Sequence, residues 1–334
     1  MAIALMRLPY LKANLSPGKR RRVVDSSLME TNLKSIERVR ADLTLLFASV
    51  IWGSAFVAQR LVADEMGVMI FNGLRFGLAA LALAPLYWGR TRAHPAMRWP
   101  NPQERRWAAM AGGLLFAGAA LQQWGLRYTT AANAGFITGL YVVLIPLILA
   151  LATRRRPQAV TLLAAGLAAT GLFFLSTDGK MRLALGDALE IGGALMWALH
   201  VILVGQLSPR ISILKLAVGQ YLVCAVLNLA LGLALEAHTL PAVPGAVWAI
   251  LYTGLLSVAL GYTLQLYGQR YSPPADAAII MSGEAVFAAL AGWLVLGERL
   301  SAFQLLGCAL MLSGMLLAQI YPWRRVKPRP GSVV

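Results

Sequence analysis

Apolar runs of similar length, separated by short polar segments, follow one another along most of this chain. Each run holds about 20 residues, and a helix of that length, rising about 1.5 Å per residue, crosses a hydrocarbon core of roughly 30 Å. The pattern therefore predicts an all-α membrane protein with ten transmembrane helices. The predicted spans are 42–62, 70–88, 107–126, 130–151, 157–176, 186–206, 212–235, 246–267, 274–296 and 300–320.

The composition supports a membrane protein and argues against an ordinary soluble domain. Of the 334 residues, 58% are hydrophobic and only 13% are charged, and the mean hydropathy is +0.65. A soluble chain of this length needs more charge to cover its surface. The formal net charge of +16 does not indicate nucleic acid binding, because the basic residues lie in loops and tails rather than interleaved with aromatics on one face.

The basic residues predict the orientation of the chain. With the N-terminus inside, the inner segments hold 23 Lys and Arg residues and the outer loops hold four. This bias follows the positive-inside rule and predicts that both termini lie in the cytoplasm. The expected location is the inner membrane of a bacterium. Residues 1–41 and 321–334 are then basic cytosolic tails, suited to contact anionic lipid headgroups. Met29 offers an alternative start, in which case residues 1–28 are expected to be dispensable.

The residue types that usually carry catalysis or bind metals are sparse. Cys224 and Cys308 both lie in apolar runs and are interpreted as packing residues. The three histidines are scattered, and nucleotide-binding loops and HExxH pairs are absent from the sequence. We therefore expect no cofactor, no bound metal and no enzymatic activity.

The two halves of the chain, 42–176 and 186–320, are weakly similar. Residues align when the first half is shifted by 145 positions, and by 143 from the third span onward. The matching pairs include Asp42 and Asp187, Trp52 and Trp197, Arg127 and Arg270, and Gly171 and Gly314. Because five spans is an odd number, the second half enters the membrane in the opposite orientation. Inverted repeats of this kind serve alternating access to a site between the halves.

The segment GEAVFAALAGWLVLGERLSAFQLLGCALMLSG, residues 283–314, resembles the signature of the EamA family of the drug/metabolite transporter superfamily. Glu284 begins an E-P-V-like motif in which Ala285 stands where proline is common, and Glu298 and Arg299 lie in an L-G-E-R-L hinge. In the first half, ANAGFITGLYVVLIPLILALATRRRP keeps the family's proline at Pro146. The segments WGSAFVAQR (52–60) and FNGLRFGLAALAL (71–83) are similar to the family's first two helices.

The resemblance covers about 42–320 and implies two inverted five-helix bundles. Helices 1–4 and 6–9 would line a central path, and helices 5 and 10 would support it. The hinge residues are expected at the surface, including Arg154, Arg155 and Arg156 in the first half.

Glu284 is the leading site residue, because it lies about ten residues into its span. A carboxylate at that depth is costly unless it faces a polar interior. The functional interpretation is a carboxylate that takes a proton or a substrate amine. The structural alternative is a protonated acid that hydrogen-bonds a neighbouring helix. Its counterpart in the first half is the uncharged Tyr141.

Arg75 is a cation inside the second span, and its repeat counterpart is Gln220. Three interpretations are open: it receives a substrate carboxylate, it pairs with a buried acid such as Glu190, or it snorkels to the headgroups.

Aromatic and neutral polar side chains complete the predicted site. The counterparts Trp52 and Trp197 lie mid-span, away from the interfaces that tryptophan prefers, so they either line a pocket or pack between helices. His200, one turn after Trp197, is either a site residue or a helix contact. Other polar groups form either a polar path or contacts between helices: Gln122, Gln123, Asn133, Gln220, Tyr262 and Gln265.

These features predict a secondary transporter that moves a small amino-acid-like, nucleoside-like or amphipathic solute by alternating access, in the direction of efflux or exchange. An uptake permease and a passive facilitator are alternatives, whereas an intramembrane enzyme lacks paired catalytic groups in the spans. The expected partners are membrane lipid, the solute and protons. The apolar faces of spans 5 and 10 suit either lipid or a second copy in a homodimer.

Overall fold

The computed structural model describes residues 23–93, 101–129, 131–154, 157–177, 185–296 and 301–325, and these ranges are almost entirely helical. The all-α prediction is confirmed for them. Of the predicted inner hinge, Arg154 ends a helix in the left-handed conformation with φ of 52°. Arg155, Arg156, Glu298 and Arg299 lie outside the described residues, as do the ends of both predicted tails.

Six helices form the first half of the chain. They are α1 (Val23–Val62), α2 (Val68–Ala93), α3 (Pro102–Gly125), α4 (Ala131–Gly139), α5 (Tyr141–Thr153) and α6 (Ala159–Thr177). The helix α1 begins well before the predicted start at residue 42. Charged residues continue it beyond the apolar span, because the pair Arg38–Asp42 lies at i,i+4 spacing on one helical face.

The second half repeats this order with one irregular helix. Its helices are α7 (Leu185–Leu207), α8 (Ile213–Leu235), α9 (Val243–Leu251), α10 (Thr263–Tyr271), α11 (Pro274–Met281), α12 (Glu284–Leu296) and α13 (Ala302–Arg325). A 3₁₀ turn over Ala237–Ala242 precedes α9, and a π-helical segment, Tyr252–Tyr262, joins α9 to α10. Such wide turns inside long helices often mark functional sites.

Six helical stretches in the described ranges are long and apolar enough to cross a membrane. They are Ile36–Val62, Val68–Arg92, Leu185–Leu207, Ile213–Leu235, Ala237–Tyr271 and Pro274–Ala291, and three shorter apolar helices are Ile137–Thr153, Ala159–Gly171 and Ala302–Gly314. The chain is therefore a multi-pass integral membrane protein. The helix α3 has a polar start, where a capping box between Asn101 and Glu104 fixes the first turn.

Equivalent residues of the two halves make equivalent contacts. Arg127 and its counterpart Arg270 each donate from Nε and Nη2 to two backbone carbonyls, at 2.7 to 2.8 Å. The acceptors are Ala63 and Met66 for Arg127, and Ser208 and Ile211 for Arg270. These acceptors are themselves 145 positions apart. Each arginine thus satisfies the free carbonyls where the first helix of one half ends.

The halves interlock, because the first helix of each packs against the third and fourth helices of the other. Two counterpart glycines permit close approach of these helices. A Cβ on Gly118 would lie 3.0 Å from the indole of Trp197, and one on its counterpart Gly261 would lie 2.7 Å from that of Trp52. The helices α2 and α8 pair across the same interface, as do α6 and α13. Both mid-span tryptophans are thereby held between the halves.

The fourth helix of each half is interrupted at the same relative place. The helices α4 and α5 meet at Leu140, and α11 and α12 meet at Ser282 and Gly283. The second interruption forms although Ala285 stands where the family commonly has proline. A serine hydroxyl that bonds back to the Ile279 carbonyl at 2.8 Å and a glycine are sufficient to break the regular helix here. The helices α5 and α12 therefore each begin directly after an interruption, at equivalent places in the two halves.

Candidate functional site

A cavity of about 50 Å³ lies between the two halves and is lined by residues of both. That volume holds a few water-sized groups, since one water needs about 10–15 Å³ on this measure. Its walls include eight of the predicted site residues: Trp52, Arg75, Gln122, Tyr141, Trp197, Tyr262, Gln265 and Glu284. The sequence-based set is therefore largely brought to one place.

The lining is organised by the internal repeat. Ten of its side chains form five counterpart pairs: Trp52 and Trp197, Phe56 and Val201, Gln122 and Gln265, Thr138 and Met281, and Tyr141 and Glu284. Counterparts meet only near the axis that relates two copies of a repeat, so the cavity lies on that pseudo-twofold axis. Transporters built from inverted repeats bind their substrates at this place.

Glu284 and Tyr141 are in direct contact across this axis. Each is the first residue of its helix, α12 or α5, directly after the interruption described above. The Tyr141 hydroxyl donates to Glu284 Oε1 at 3.1 Å, and both side chains are about 5% exposed or less. This bond leaves the second carboxylate oxygen available to the cavity. The two halves therefore differ at this contact, where one contributes the carboxylate of Glu284 and the other the phenol of Tyr141.

Arg75 is buried, with 3% of its surface exposed, and does not snorkel. Its Nη1 donates to Gln59 Oε1 at 2.7 Å, and its guanidinium lies 5.2 and 5.3 Å from the rings of Phe71 and Phe76. The suggested pair with Glu190 is wrong in this structure, since Gln59 takes that place. Within the described ranges its Nε has no hydrogen-bond partner, which leaves a charged donor beside the cavity.

Tyr262 is the centre of the aromatic wall. Its ring lies 4.9 Å from that of Trp52 and 5.9 Å from that of Trp197. The Trp52 indole N–H donates to the Ser257 carbonyl at 3.0 Å. Both Ser257 and Tyr262 belong to the π-helical segment, whose wider turn brings them to the cavity. The wall offers flat apolar faces with few free donors.

Most of the remaining predicted residues lie behind the cavity wall, and one lies outside the described residues. His200 Nε2 and Gln220 Oε1 are 3.1 Å apart, and both residues are fully buried outside the cavity wall. Gln123 donates to the Gln59 carbonyl at 3.3 Å. Glu190 accepts from the Thr138 hydroxyl at 3.2 Å. The side chain of Asn133 lies outside the described residues.

Six lining residues were not anticipated from the sequence: Phe56, Gln59, Thr138, Val201, Ser257 and Met281. A signal existed for Gln59, because it lies two helical turns after Trp52 on the same face and is polar within an apolar span. Thr138 lies three residues before Tyr141, which also predicts a shared face. The apolar members carry no comparable signal, since one apolar residue in a span resembles the next.

Comparison with known proteins agrees with this architecture. The model of the EamA-like transporter family matches residues 39–177 and 184–319. An uncharacterized transporter of Archaeoglobus fulgidus is 30% identical over 291 residues, 86% of this chain and 88% of the relative. The threonine/homoserine exporter RhtA of Salmonella typhimurium is 31% identical over 178 residues, 51% of this chain and 58% of that protein.

The fold is also shared with a solved structure, described as a crystal structure of a protein. It has a TM-score of 0.69 and 19% sequence identity, and the match covers 86% of this chain and 99% of that one. Both repeats thus match one family model, which confirms the resemblance drawn from the 283–314 segment. The chain belongs to the EamA-like transporter family, within the drug/metabolite transporter superfamily.

Proposed function

We propose that this protein is a secondary transporter, not an enzyme, that exports a small amino-acid-like metabolite from the bacterial cytoplasm by alternating access. The observation that carries the proposal is the presence of Arg75 and Glu284 in the wall of one buried cavity. A zwitterion presents a carboxylate and an ammonium, and this wall offers one group of each opposite sign. The name of the RhtA relative, a threonine/homoserine exporter, supports the same substrate class.

Each charged end of such a substrate has a recognisable partner. The guanidinium of Arg75 presents several N–H donors in a planar fork, which matches the two oxygens of a carboxylate. Glu284 keeps one oxygen for the ammonium while Tyr141 occupies the other. The rings of Trp52 and Tyr262 then face the aliphatic part. Binding both ends at once distinguishes an amino acid from an amine or an acid alone.

The same carboxylate serves proton exchange. In the inward-open state Glu284 is ionised and binds the substrate ammonium. After the substrate leaves to the outside, a proton from that side takes its place on the carboxylate. The protein returns, and the proton leaves to the cytoplasm. Because the carboxylate binds either the proton or the substrate ammonium and never both at once, it is sufficient to couple their movement in opposite directions.

The architecture that carries this cycle has ten spans with both termini in the cytoplasm. The two ends of the cavity are closed by contacts between the halves. At one end Arg38 of the first half donates to Asp276 of the second half at 2.8 Å, and it also donates to Asp42 on its own helix at 3.0 Å. At the other end the counterpart of Asp42, Asp187, accepts from the Thr129 hydroxyl at 2.8 Å. The ionic closure lies at the end that we assign to the cytoplasm.

Asp276→Asn is expected to increase the inward-open population. Removing one acid from this partly buried pair weakens the closure by about 1 kcal/mol, which corresponds to a roughly fivefold change in population. The measurement is the labelling rate of a cysteine at Ser257, in a background without Cys224 and Cys308, by an impermeant maleimide applied from the cytoplasmic side.

Asp64→Asn is the matched control for that experiment. Asp64 also pairs with an arginine of α1, Arg60, at 2.8 Å, but this pair is exposed and local, since Asp64 lies in the turn directly after that helix. It should leave the labelling rate unchanged. Equal labelling rates in the Asp276→Asn variant and the wild type would remove Arg38–Asp276 from the gating scheme.

The proposed function is tested with purified protein in liposomes. Radiolabelled L-threonine should exchange against internal L-threonine, and an imposed pH gradient should drive its accumulation. L-homoserine should compete, whereas threoninol, which lacks the carboxylate, and 3-hydroxybutyrate, which lacks the amine, should compete poorly. Exchange without pH-driven accumulation would indicate a facilitator. If none of the common amino acids is exchanged, the proposal is wrong.

A further inference from the structure

Glu190 is a second buried acid, and the transport cycle described above does not use it. Its side chain is fully buried on α7. One carboxylate oxygen, Oε2, accepts a single hydrogen bond from the Thr138 hydroxyl at 3.2 Å. The other, Oε1, has no hydrogen-bond partner within the described ranges. A buried acid so poorly satisfied, inside a transmembrane helix, is rare without a function.

Thr138 connects this acid to the cavity. It donates to Glu190 and is at the same time part of the cavity wall. A threonine hydroxyl has one hydrogen to donate and two lone pairs that accept. While Glu190 is ionised, that hydrogen is committed to the carboxylate, so the hydroxyl can only accept from a group in the cavity.

The corresponding place in the other half is apolar. Glu190 and Thr138 have Leu45 and Met281 as their repeat counterparts. The surrounding backbone is equivalent in both halves, because Gly125 faces Glu190 just as Gly268 faces Leu45. A Cβ on Gly125 would lie 2.6 Å from Glu190 Oε1. The fold therefore offers the same slot twice, and only one of the two holds an acid with a hydroxyl partner.

A second buried acid, Asp187, lies between Glu190 and one end of α7. Asp187 lies one turn earlier than Glu190 on this helix. Asp187 accepts from Thr129, a half-buried residue at the end of the protein. Asp187 and Glu190 therefore lie between Thr129, which is partly exposed, and Thr138 in the cavity wall.

Ionisable groups on the helices packed against α7 are engaged elsewhere. The helices α3 and α4 present Gly125 and Thr138 to Glu190. On α5, α10 and α11, Tyr141 bonds Glu284, Arg270 bonds backbone carbonyls and Asp276 bonds Arg38. Within the described ranges no cation forms an ion pair with Glu190. A proton is the ligand that would neutralise it.

We propose that Glu190 is a second proton-binding residue of the transport cycle, and that its protonation reverses the Thr138 hydrogen bond. A proton from outside binds the carboxylate, and the resulting acid O–H donates to Thr138 Oγ1. The Thr138 hydrogen is then released to point into the cavity. The Thr138 hydroxyl then donates a hydrogen bond into the cavity, where before it could only accept one. This change disfavours binding of the substrate ammonium. When the proton leaves, the original bond returns.

This inference rests on the proposed function, but its first test needs no substrate. Infrared difference spectra between acidic and alkaline pH report each carboxyl that gains a proton through its C=O stretching band. We expect separate bands from Glu190 and Glu284 in the wild type, with one lost in Glu190→Gln and the other lost in Glu284→Gln. An unchanged spectrum in the isosteric Glu190→Gln variant, which keeps the size of the side chain, would overturn the proposal.

The second test counts protons. The double variant Glu190→Leu with Thr138→Met installs the residues found at the counterpart positions, Leu45 and Met281. The equivalent slot of the other half already holds these side chains. The pH gradient that balances a fixed L-threonine gradient gives the number of protons per substrate. We expect one proton fewer per substrate than in the wild type. If the double variant does not exchange, Glu190→Gln is measured in the same way, and an unchanged proton number in either refutes a second site. A wild type without pH-driven accumulation would instead refute the proposed function.

Discussion

The Glu284→Gln variant is expected to exchange L-threonine poorly and to lose pH-driven accumulation entirely. The amide keeps the size of the side chain but binds neither a proton nor an ammonium as a counter-ion. Losing one buried charged partner costs about 2–5 kcal/mol, so the affinity should fall by roughly 30-fold or more. Initial rates with and without a pH gradient, at several L-threonine concentrations, separate the binding defect from the coupling defect.

Tyr141→Phe and Glu65→Gln are the controls for this variant. Tyr141→Phe removes the 3.1 Å hydrogen bond to Glu284 but keeps the carboxylate, so coupling should persist with altered affinity. Glu65 is an exposed acid at the end of α1, and its replacement should change neither quantity. If Glu284→Gln retained wild-type accumulation, the carboxylate would be a structural hydrogen-bonding group and the coupling site would lie elsewhere.

The Arg75→Gln variant is expected to lose affinity for the carboxylate end of the substrate. It installs the residue found at the counterpart position, Gln220. Because Arg75 is buried and its Nε is free within the described ranges, a substrate carboxylate would satisfy a donor that otherwise has no partner. The affinity for L-threonine should fall by roughly 30-fold or more, by the same cost of about 2–5 kcal/mol.

A selective readout separates this role from a general structural one. Arg75 also holds Gln59 and lies against Phe71, so its loss is expected to loosen α1 and α2 somewhat. Competition by threoninol, which has no carboxylate, should not be weakened by Arg75→Gln, and Arg75→Lys should recover part of the affinity for L-threonine. Equal losses for L-threonine and threoninol would mean that Arg75 supports the fold and does not bind the carboxylate.

The repeat contributed most of what could be anticipated about the site. Comparison of the halves singled out Glu284 with Tyr141, and Trp52 with Trp197, before any contact was known. These residues meet because counterparts near a pseudo-twofold axis are neighbours in space. Gln59 could not be assigned to Arg75 in this way, because the counterpart of Gln59 is the apolar Val204. The partner of a buried cation depends on rotamers and local depth, which hydropathy does not report.

The sequence alone was sufficient to predict the all-helical membrane class, the family and the two halves, because length, hydropathy and spacing along one chain indicate each. It also placed the candidate acid and cation within the spans. The packed helices were needed to show which polar groups share a cavity, that Gln59 rather than Glu190 bonds Arg75, and that Thr138 connects Glu190 to the cavity wall. A helix surrounded by other helices has no single polar face. Each side chain therefore finds its partner across a helix contact, and that contact is set by the packing of the two halves.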